Sequence, residues 1–532
     1  FIIRNIVGMD INPIASIIAR ANYLLALGDL LQKGKSFIIP VYTADSLKPV
    51  QSSLGIFDML LGNPPWISMR SIQNNAYQDL LKNEALRYRL LNHRDVHLFT
   101  QMEMATLFFC KCSDLYLKNR GIAAFVMPRS VLAGTLHHVA FRSFSVPEMK
   151  LMEIFDLENV SPLFNMPSCV LFALKGEKTK YPVLARKYKG EFPENNMALS
   201  EAKGLLSVTD YMYEPPSLSN SGTYYFDKFR VGASIFPRAF YFVDFPLTSD
   251  VTPPFPIKTS TEIQRIVKSP WKIEIKAKVE PHYIYYTLLA WEIIPFGYIK
   301  LRPVVLPIEP AGTIYKLFNV DDLGKEGSVH MAEWLRKSQR VWEERRTAKS
   351  RDRFAYLNDR LDYNGLLSVQ DPSKRHVVIY NATGTNIVSC VINKQSLPYL
   401  DTTKAKIKPV GFVADVKTWL YETNDHLEAH YLCSILNSEV LNKAIKSLQP
   451  RGLFGPRAIH RRPLLFPIPK FDENNESHSA LVKISSYCHE EIAYLKPQKT
   501  PKLKEKLGQI FKSETKEVND IVSKLLNFKL LD

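Results

Sequence analysis

Apolar and polar positions change period several times along the chain, and each change predicts an element. The apolar run Ile6-Val7-Gly8-Met9 closes on Asp10 and is expected as a strand. Asn12 has the chemistry of an N-cap, Pro13 suits the first helical position and Gly28 suits the residue past the last turn, so a helix is expected from Asn12 to Leu27. Phe57 to Gly62 is an apolar run of strand length. From Asp95 onward, Leu98, Met102, Ala105, Phe109, Cys112 and Tyr116 recur at alternating spacings of four and three, which makes one apolar helix face. Gly121 then opens a strand over Ile122 to Met127. This β-α alternation predicts an open α/β sheet, whose ligands bind beyond the carboxyl ends of the strands. Asp10, Asp45 and Asn63 all fall at such ends.

Past about residue 185 the alternation stops. Residues 222–320 are rich in Tyr, Phe, Val, Ile and Pro, and Trp271 to Val279 alternates as a polar-faced strand. Residues 329–362 are charged and helical in pattern, with Trp334 and Trp342 on one face, where core packing is their usual role. Strands are expected again at His376 to Tyr380 and Ile387 to Ile392, and a helix near His426 to Leu436. The expected domains are a catalytic α/β domain over 1–185, a β-rich part over 186–328, a helical segment over 329–365, an α+β part over 366–475 and C-terminal helices over 476–532.

Length and composition fit this plan. A chain of 532 residues with 46% hydrophobic content holds about three packed domains. It has no apolar run long enough to span a bilayer, so no membrane role is expected. The six cysteines (110, 112, 169, 390, 433 and 488) lack paired C-x-x-C spacing. Buried thiols in a reducing cytoplasm are expected from them, with neither a disulfide framework nor a metal site. The net charge of +16 suits a polyanion, but its density is about even along the chain. More local is the acid-free run Lys443, Lys446, Arg451, Arg457, Arg461, Arg462 and Lys470, broken by Gly452, Gly455 and Pro456, with Phe454 and His460 in the same loop. Such a run can lie along DNA phosphates.

The most specific chemistry is Asn63-Pro64-Pro65-Trp66, directly after Phe57 to Gly62. An exocyclic amine such as adenine N6 is a poor nucleophile, because its lone pair is delocalised into the ring. The Asn63 side-chain oxygen and the Pro64 carbonyl can each accept one amine hydrogen and drive the nitrogen towards tetrahedral geometry. Pro64 and Pro65 fix φ, which keeps that carbonyl aimed. Trp66 offers a face on which a base drawn from the helix can stack.

This motif resembles that of the gamma class of S-adenosylmethionine-dependent amino-methyltransferases, above all the adenine-N6 DNA methylases of type IIG and type I-like restriction and modification systems. The resemblance implies a Rossmann-like methyltransferase domain followed by a mixed α+β target recognition region. It implies that Asp10 and Ile11, Asp45 and Ser46, and Asn63 hold S-adenosylmethionine, and that Trp66 and Phe164, within Pro162 to Leu171, meet the flipped base. Double-stranded DNA is the implied partner and the cytoplasm the implied location. Glu274-x-Lys276 resembles a nuclease element of type IIG enzymes, but it lies in an alternating strand and reads as a surface pair. No Walker-type phosphate loop is present, so ATP use is not expected.

The resemblance also implies a glycine-rich turn before the acid matched by Asp10, and the sequence begins at Phe1, only a few residues earlier. The expectation is an N-terminally truncated enzyme that by itself binds S-adenosylmethionine weakly or not at all. A second chain supplying the missing motif or a nuclease is a further expected partner. Two alternatives stay open: a non-catalytic DNA-binding or specificity subunit, and a methyltransferase acting on RNA bases or protein glutamine.

Overall fold

Asn12 caps the first long helix as its chemistry predicts, its side-chain oxygen accepting from the Ile14 and Ala15 amides at 2.9 and 3.4 Å. The helix runs from Pro13 to Leu27, and Gly28, at φ +44°, ends it. These features come from a computed structural model. It describes residues 2–526, apart from 31–35, 49–54, 93–95, 97–98, 134–135, 195–196, 216–222, 247–251, 402–405, 447, 450, 453–454, 457, 499 and 501. The chain forms two compact units, residues 1–218 with 447–455, and residues 219–446 with 456–532.

In the first unit, a short helix α1 (Ile2–Asn5) precedes β1 (Gly8–Asp10), α2 (Pro13–Leu27) and β2 (Val41–Thr43). The expected strand from Ile6 is thus shorter, because the Ile6 amide closes α1 on Ile2 and pairing begins only at Gly8 opposite Val41. β1 and β2 are parallel and form their own two-stranded sheet. Then come β3 (Phe57–Gly62), α3 (Asn75–Arg87), α4 (Met104–Tyr116), β4 (Leu117–Pro128), β5 (Met149–Ser161), β6 (Ser168–Lys175), β7 (Val183–Glu191), α5 (Leu199–Leu205) and β8 (Ser207–Tyr213). Six of these strands make one sheet in the order β3-β4-β6-β5-β7-β8. β3 runs parallel to β4 and β5 parallel to β7, while the other pairs are antiparallel. The sheet therefore continues through Tyr213, beyond the expected catalytic boundary at residue 185.

α4 is the buried helix of this unit, with Ala105, Phe109, Cys112 and Tyr116 inside the core as their spacing requires. It starts at Met104, not at the expected Leu98. The backbone just before it is engaged elsewhere, since the Met102 carbonyl accepts from the Met69 amide and Glu103 bridges to Ser68. Asp95 and Leu98 lie outside the described residues.

The second unit centres on a four-stranded sheet in the order Ser389–Asn393, His376–Asn381, Thr418–Thr423, Arg230–Val231. His426–Asn437, Glu476–Leu495 and Lys512–Leu525 supply its main helices, and their apolar faces share one core. A three-stranded antiparallel sheet joins Val243–Asp244, Phe255–Thr259 and Lys276–Val279. Only the second half of the expected strand Trp271 to Val279 is regular. Ahead of it the Ile275 amide donates to the Thr259 hydroxyl, and the Trp271 ring packs edge-on against Phe240. Trp334 and Trp342, on the helix Val329–Arg345, are 1% and 0% exposed, which places both in the core. That core draws on residues from Ala233 to Val413, so the later part of the expected segment 186–328, the segment 329–365 and the start of 366–475 share one interior. All six cysteines are free and buried. Among the described residues, no helix is long and apolar enough to cross a membrane.

Candidate active site

The candidate site begins where β3 ends. Gly62 stands opposite Phe125 of β4, and a Cβ on Gly62 would sit 2.8 Å from the Phe125 ring. Glycine lets the strand pass that ring, and Asn63 follows as the first residue beyond the sheet. Asn63 and Pro65 are exposed, Pro64 is buried and Trp66 is half-buried. Trp66 is fixed by its indole N–H, which donates to the Val126 carbonyl at 3.2 Å.

Phe164, on the connection from β5 to β6, comes to Trp66 with ring centroids 4.8 Å apart and planes tilted by 51°. The two candidate stacking residues are thus in contact. Phe164 remains 46% exposed, so part of its ring stays open to a ligand.

The two candidate cofactor acids meet through parallel pairing. Asp10 ends β1, and its carbonyl accepts from the Ala44 amide at 3.0 Å, immediately before Asp45. The Asp10 side chain is exposed, with Oδ1 accepting from the Asn12 amide at 2.7 Å. Ile11 beside it is 66% exposed. Asp45 is half-buried. Its Oδ1 accepts from the Leu47 amide at 3.0 Å and its Oδ2 from the Tyr77 hydroxyl at 3.0 Å. Burial, reinforced by Asp45, pushes the Tyr77 hydroxyl well above its ordinary pKa, so it stays a donor. The Ser46 carbonyl contacts the Cys112 thiol at 3.7 Å, which ties this turn to α4. Exposed carboxylate, exposed apolar side chain and parallel strand ends together fit a nucleoside, whose ribose needs acceptors and whose base needs an apolar face.

Sequence reasoning missed a group on the other side of the Asn63–Trp66 loop. Glu103, just before α4, takes the Ser130 hydroxyl on Oε1 at 2.9 Å, and its Oε2 meets His138 Nε2 and, at 3.6 Å, His137 Nε2. His138 is fully buried, and burial pushes its pKa down. Burial opposes ionisation of Glu103 too, but the two imidazoles outweigh it and hold this carboxyl well below the usual carboxylate range. Nearby in sequence, Arg129 donates to the buried Asp156 carboxylate at 3.0 Å, and Asp156 also takes the Tyr211 hydroxyl at 3.1 Å. Neither cluster has a short-range spacing signature, because its members come from parts of the chain that are distant in sequence: Glu103 and His137–His138 from two connections, Arg129, Asp156 and Tyr211 from the turn after β4 and from strands β5 and β8.

The basic run is less uniform than its sequence. Lys443 is exposed on the helix Glu439–Lys446, whereas the Lys446 ammonium donates to the Thr385 carbonyl. Arg451 lies in a two-residue strand, and Arg457 and Phe454 lie outside the described residues. Arg461 stacks over Phe226 and Trp419 at 5.1 and 5.0 Å. Arg462 donates to the Ala458 carbonyl at 2.8 Å, and burial pushes its pKa down to about 10. Glu274 and Lys276 pair at 3.0 Å with both side chains largely exposed, as a surface pair does.

The single open sheet expected from the sequence is divided in two, with Asp10 and Asp45 at the end of the β1–β2 pair and the Asn-Pro-Pro-Trp loop at the end of β3 in the six-stranded sheet. This mixed α/β arrangement is consistent with the fold of an S-adenosylmethionine-dependent methyltransferase. Residues 4–164 match the family described as Eco57I restriction-modification methylase. The whole chain resembles the type IIL restriction-modification enzyme MmeI, whose structure is in complex with DNA, with a TM-score of 0.58 and 11% identity over 98% of this chain and 63% of that one. The chain thus spans less than two thirds of the length of MmeI. A nuclease-deletion mutant of the type ISP restriction-modification enzyme LlaGI, in complex with a DNA substrate mimic, also matches, with a TM-score of 0.41 and 10% identity over 91% of this chain and 47% of that one. No curated protein matches the sequence.

Proposed function

We propose that this protein is a DNA methyltransferase of a restriction-modification system and that its target is the N6 amine of adenine in duplex DNA. The observation that carries the reading is the meeting of Trp66 and Phe164 beside Asn63, at the carboxyl end of a strand in a methyltransferase sheet. The Asn63 side-chain oxygen and the Pro64 carbonyl accept the two amine hydrogens and turn the nitrogen lone pair outward. Pro65 keeps the turn extended. No side chain of shifted pKa is needed as a base, since the nitrogen loses its proton readily once it carries four substituents.

The adenine reaches this site by leaving the helix. A base sandwiched between Trp66 and Phe164 would need their rings about 7 Å apart, twice the usual contact distance of ~3.5 Å. At 4.8 Å the pair is closed, so the base stacks on the open part of the Phe164 ring or displaces that ring, while the Val126 hydrogen bond holds Trp66. S-adenosylmethionine, when bound, supplies an electrophilic methyl group. Asp10 and Ile11 are the residues to hold its ribose and base, with Asp45, Ser46 and Asn63 completing the cradle. Lys443 and Lys470 are the exposed lysines of the basic run, and Lys443 is the better disposed to meet phosphate because Lys470 stands over the Tyr224 ring; Arg461 and Arg462 are engaged within their own unit.

Asn63→Ala tests the assignment. Methyl transfer to unmethylated duplex DNA should fall by at least ~100-fold, the cost of removing one preorganised acceptor or donor at a reacting centre, while cofactor affinity measured by calorimetry falls far less, because Asp10, Ile11, Asp45 and Ser46 still hold the cofactor. Equal loss of both would refute the role given to Asn63.

A further inference from the structure

We propose that Glu103, His137 and His138 form a binding site for a divalent transition-metal ion of the zinc, cobalt or nickel kind, which braces the loop carrying Trp66. One ligand atom from each residue lies within 4.8 Å of the others, and this is the one such group of three among the described residues. Both imidazoles are aimed at the same carboxylate oxygen: His138 Nε2 contacts Glu103 Oε2, and His137 Nε2 stands 3.6 Å from it. The ligand atoms of a tetrahedral zinc ion are roughly 3.3 Å apart, from bonds of ~2.0 Å. Small side-chain movements therefore bring this triad to coordinating distance. Two nitrogens and one oxygen suit zinc, cobalt and nickel better than magnesium or calcium, which take oxygen ligands.

The surroundings fit an ion as well. Ser130 donates to Glu103 Oε1 at 2.9 Å, which fixes the carboxylate and leaves Oε2 turned to the histidines. The neighbouring cation Arg142 is directed onto the Val131 and Ala133 carbonyls. His138 is fully buried, but the side chains of His137 and Glu103 are 14% and 18% exposed, which gives an ion a way in. Three protein ligands leave one position of a tetrahedral ion for water.

The connectivity assigns the ion a task. Glu103 bridges to Ser68, and the Met104 amide donates to the Ile67 carbonyl at 2.9 Å, so Glu103 is fastened to the residues directly after Trp66. His137 and His138 belong to the connection after β4. An ion shared by all three ties that connection to the Asn63–Trp66 loop.

The test uses the untagged full chain, freed of metal by a chelator and then dialysed against Zn2+, with bound metal measured by mass spectrometry and Co2+ as an optical probe. One tightly held ion per chain, a visible Co2+ spectrum of tetrahedral type and a Zn2+-dependent rise in melting temperature are expected. His137→Ala and Glu103→Gln should weaken binding by more than the roughly 10–100-fold that loss of an outer hydrogen-bond partner costs, and should abolish the rise. His137→Ala decides if Glu103→Gln does not fold, since His137 is partly exposed. Absence of retained ion in the unsubstituted chain, or retention unchanged in His137→Ala, would overturn the proposal.

Discussion

At the residue scale, the proposed methyl transfer turns on how two aromatic rings are held. Trp66 has both a packed environment and a hydrogen bond to Val126, whereas Phe164 is almost half exposed on a connection between strands. Trp66 is therefore the fixed wall and Phe164 the movable one. Phe164→Ala should leave the melting temperature nearly unchanged but weaken capture of the target base by about 1–3 kcal/mol, the usual value of one aromatic–base stack. The fluorescence of 2-aminopurine placed at the target position reads this directly, and a flipping signal equal to that of the unsubstituted protein would remove Phe164 from the site. Asn63 and Trp66 could be singled out in the sequence because four adjacent residues carry their chemistry. Glu103, His137 and His138 could not, because their convergence depends on two connections that only the folded sheet brings together.

At the scale of elements, sequence pattern and structure agree where local chemistry decides and part where tertiary contacts do. The helix after Asp10 matches its expected span because Asn12, Pro13 and Gly28 mark both ends. The helix before Gly121 starts late, because Met102 and Glu103 pair with the segment after Trp66. Alternation predicted the strand Trp271 to Val279, but Thr259 and Phe240 take over the partners of its first half. The close approach of β3 to β4 had no sequence signal beyond the glycine itself. Gly62→Ala should cost about 1–3 kcal/mol, the range for overpacking, because the new methyl meets the Phe125 ring. Chemical denaturation measures it; a variant as stable as the original would mean that Phe125 yields freely.

At the scale of the whole molecule, the sequence separated an α/β region from a mixed one, but divided the mixed part too finely. Trp334 and Trp342 show why: charged outer positions made 329–365 look like a separate helical segment, while its inner face completes a core begun near Ala233. Net charge was a poor guide to the DNA surface for a similar reason. Guanidinium groups count equally in composition whether they face solvent or, like Arg461, lie on aromatic rings. Lys443→Ala should lower the slope of log affinity against log salt by about 1, the value of a single phosphate contact, with sequence preference unchanged. Arg462→Ala should instead reduce stability, since its half-buried guanidinium donates to the Ala458 carbonyl. Filter binding across a salt series tells the two apart, and an unchanged slope for Lys443→Ala would place the phosphate contact elsewhere.

The proposed function stands or falls on the identity of the methylated atom. The most direct measurement is nucleoside analysis by mass spectrometry of duplex DNA from cells expressing the protein from its full reading frame, beside cells expressing the Asn63→Ala form. N6-methyladenine present in the first and absent in the second is the predicted result; methylation confined to cytosine, or N6-methyladenine at equal levels in both, would contradict the account.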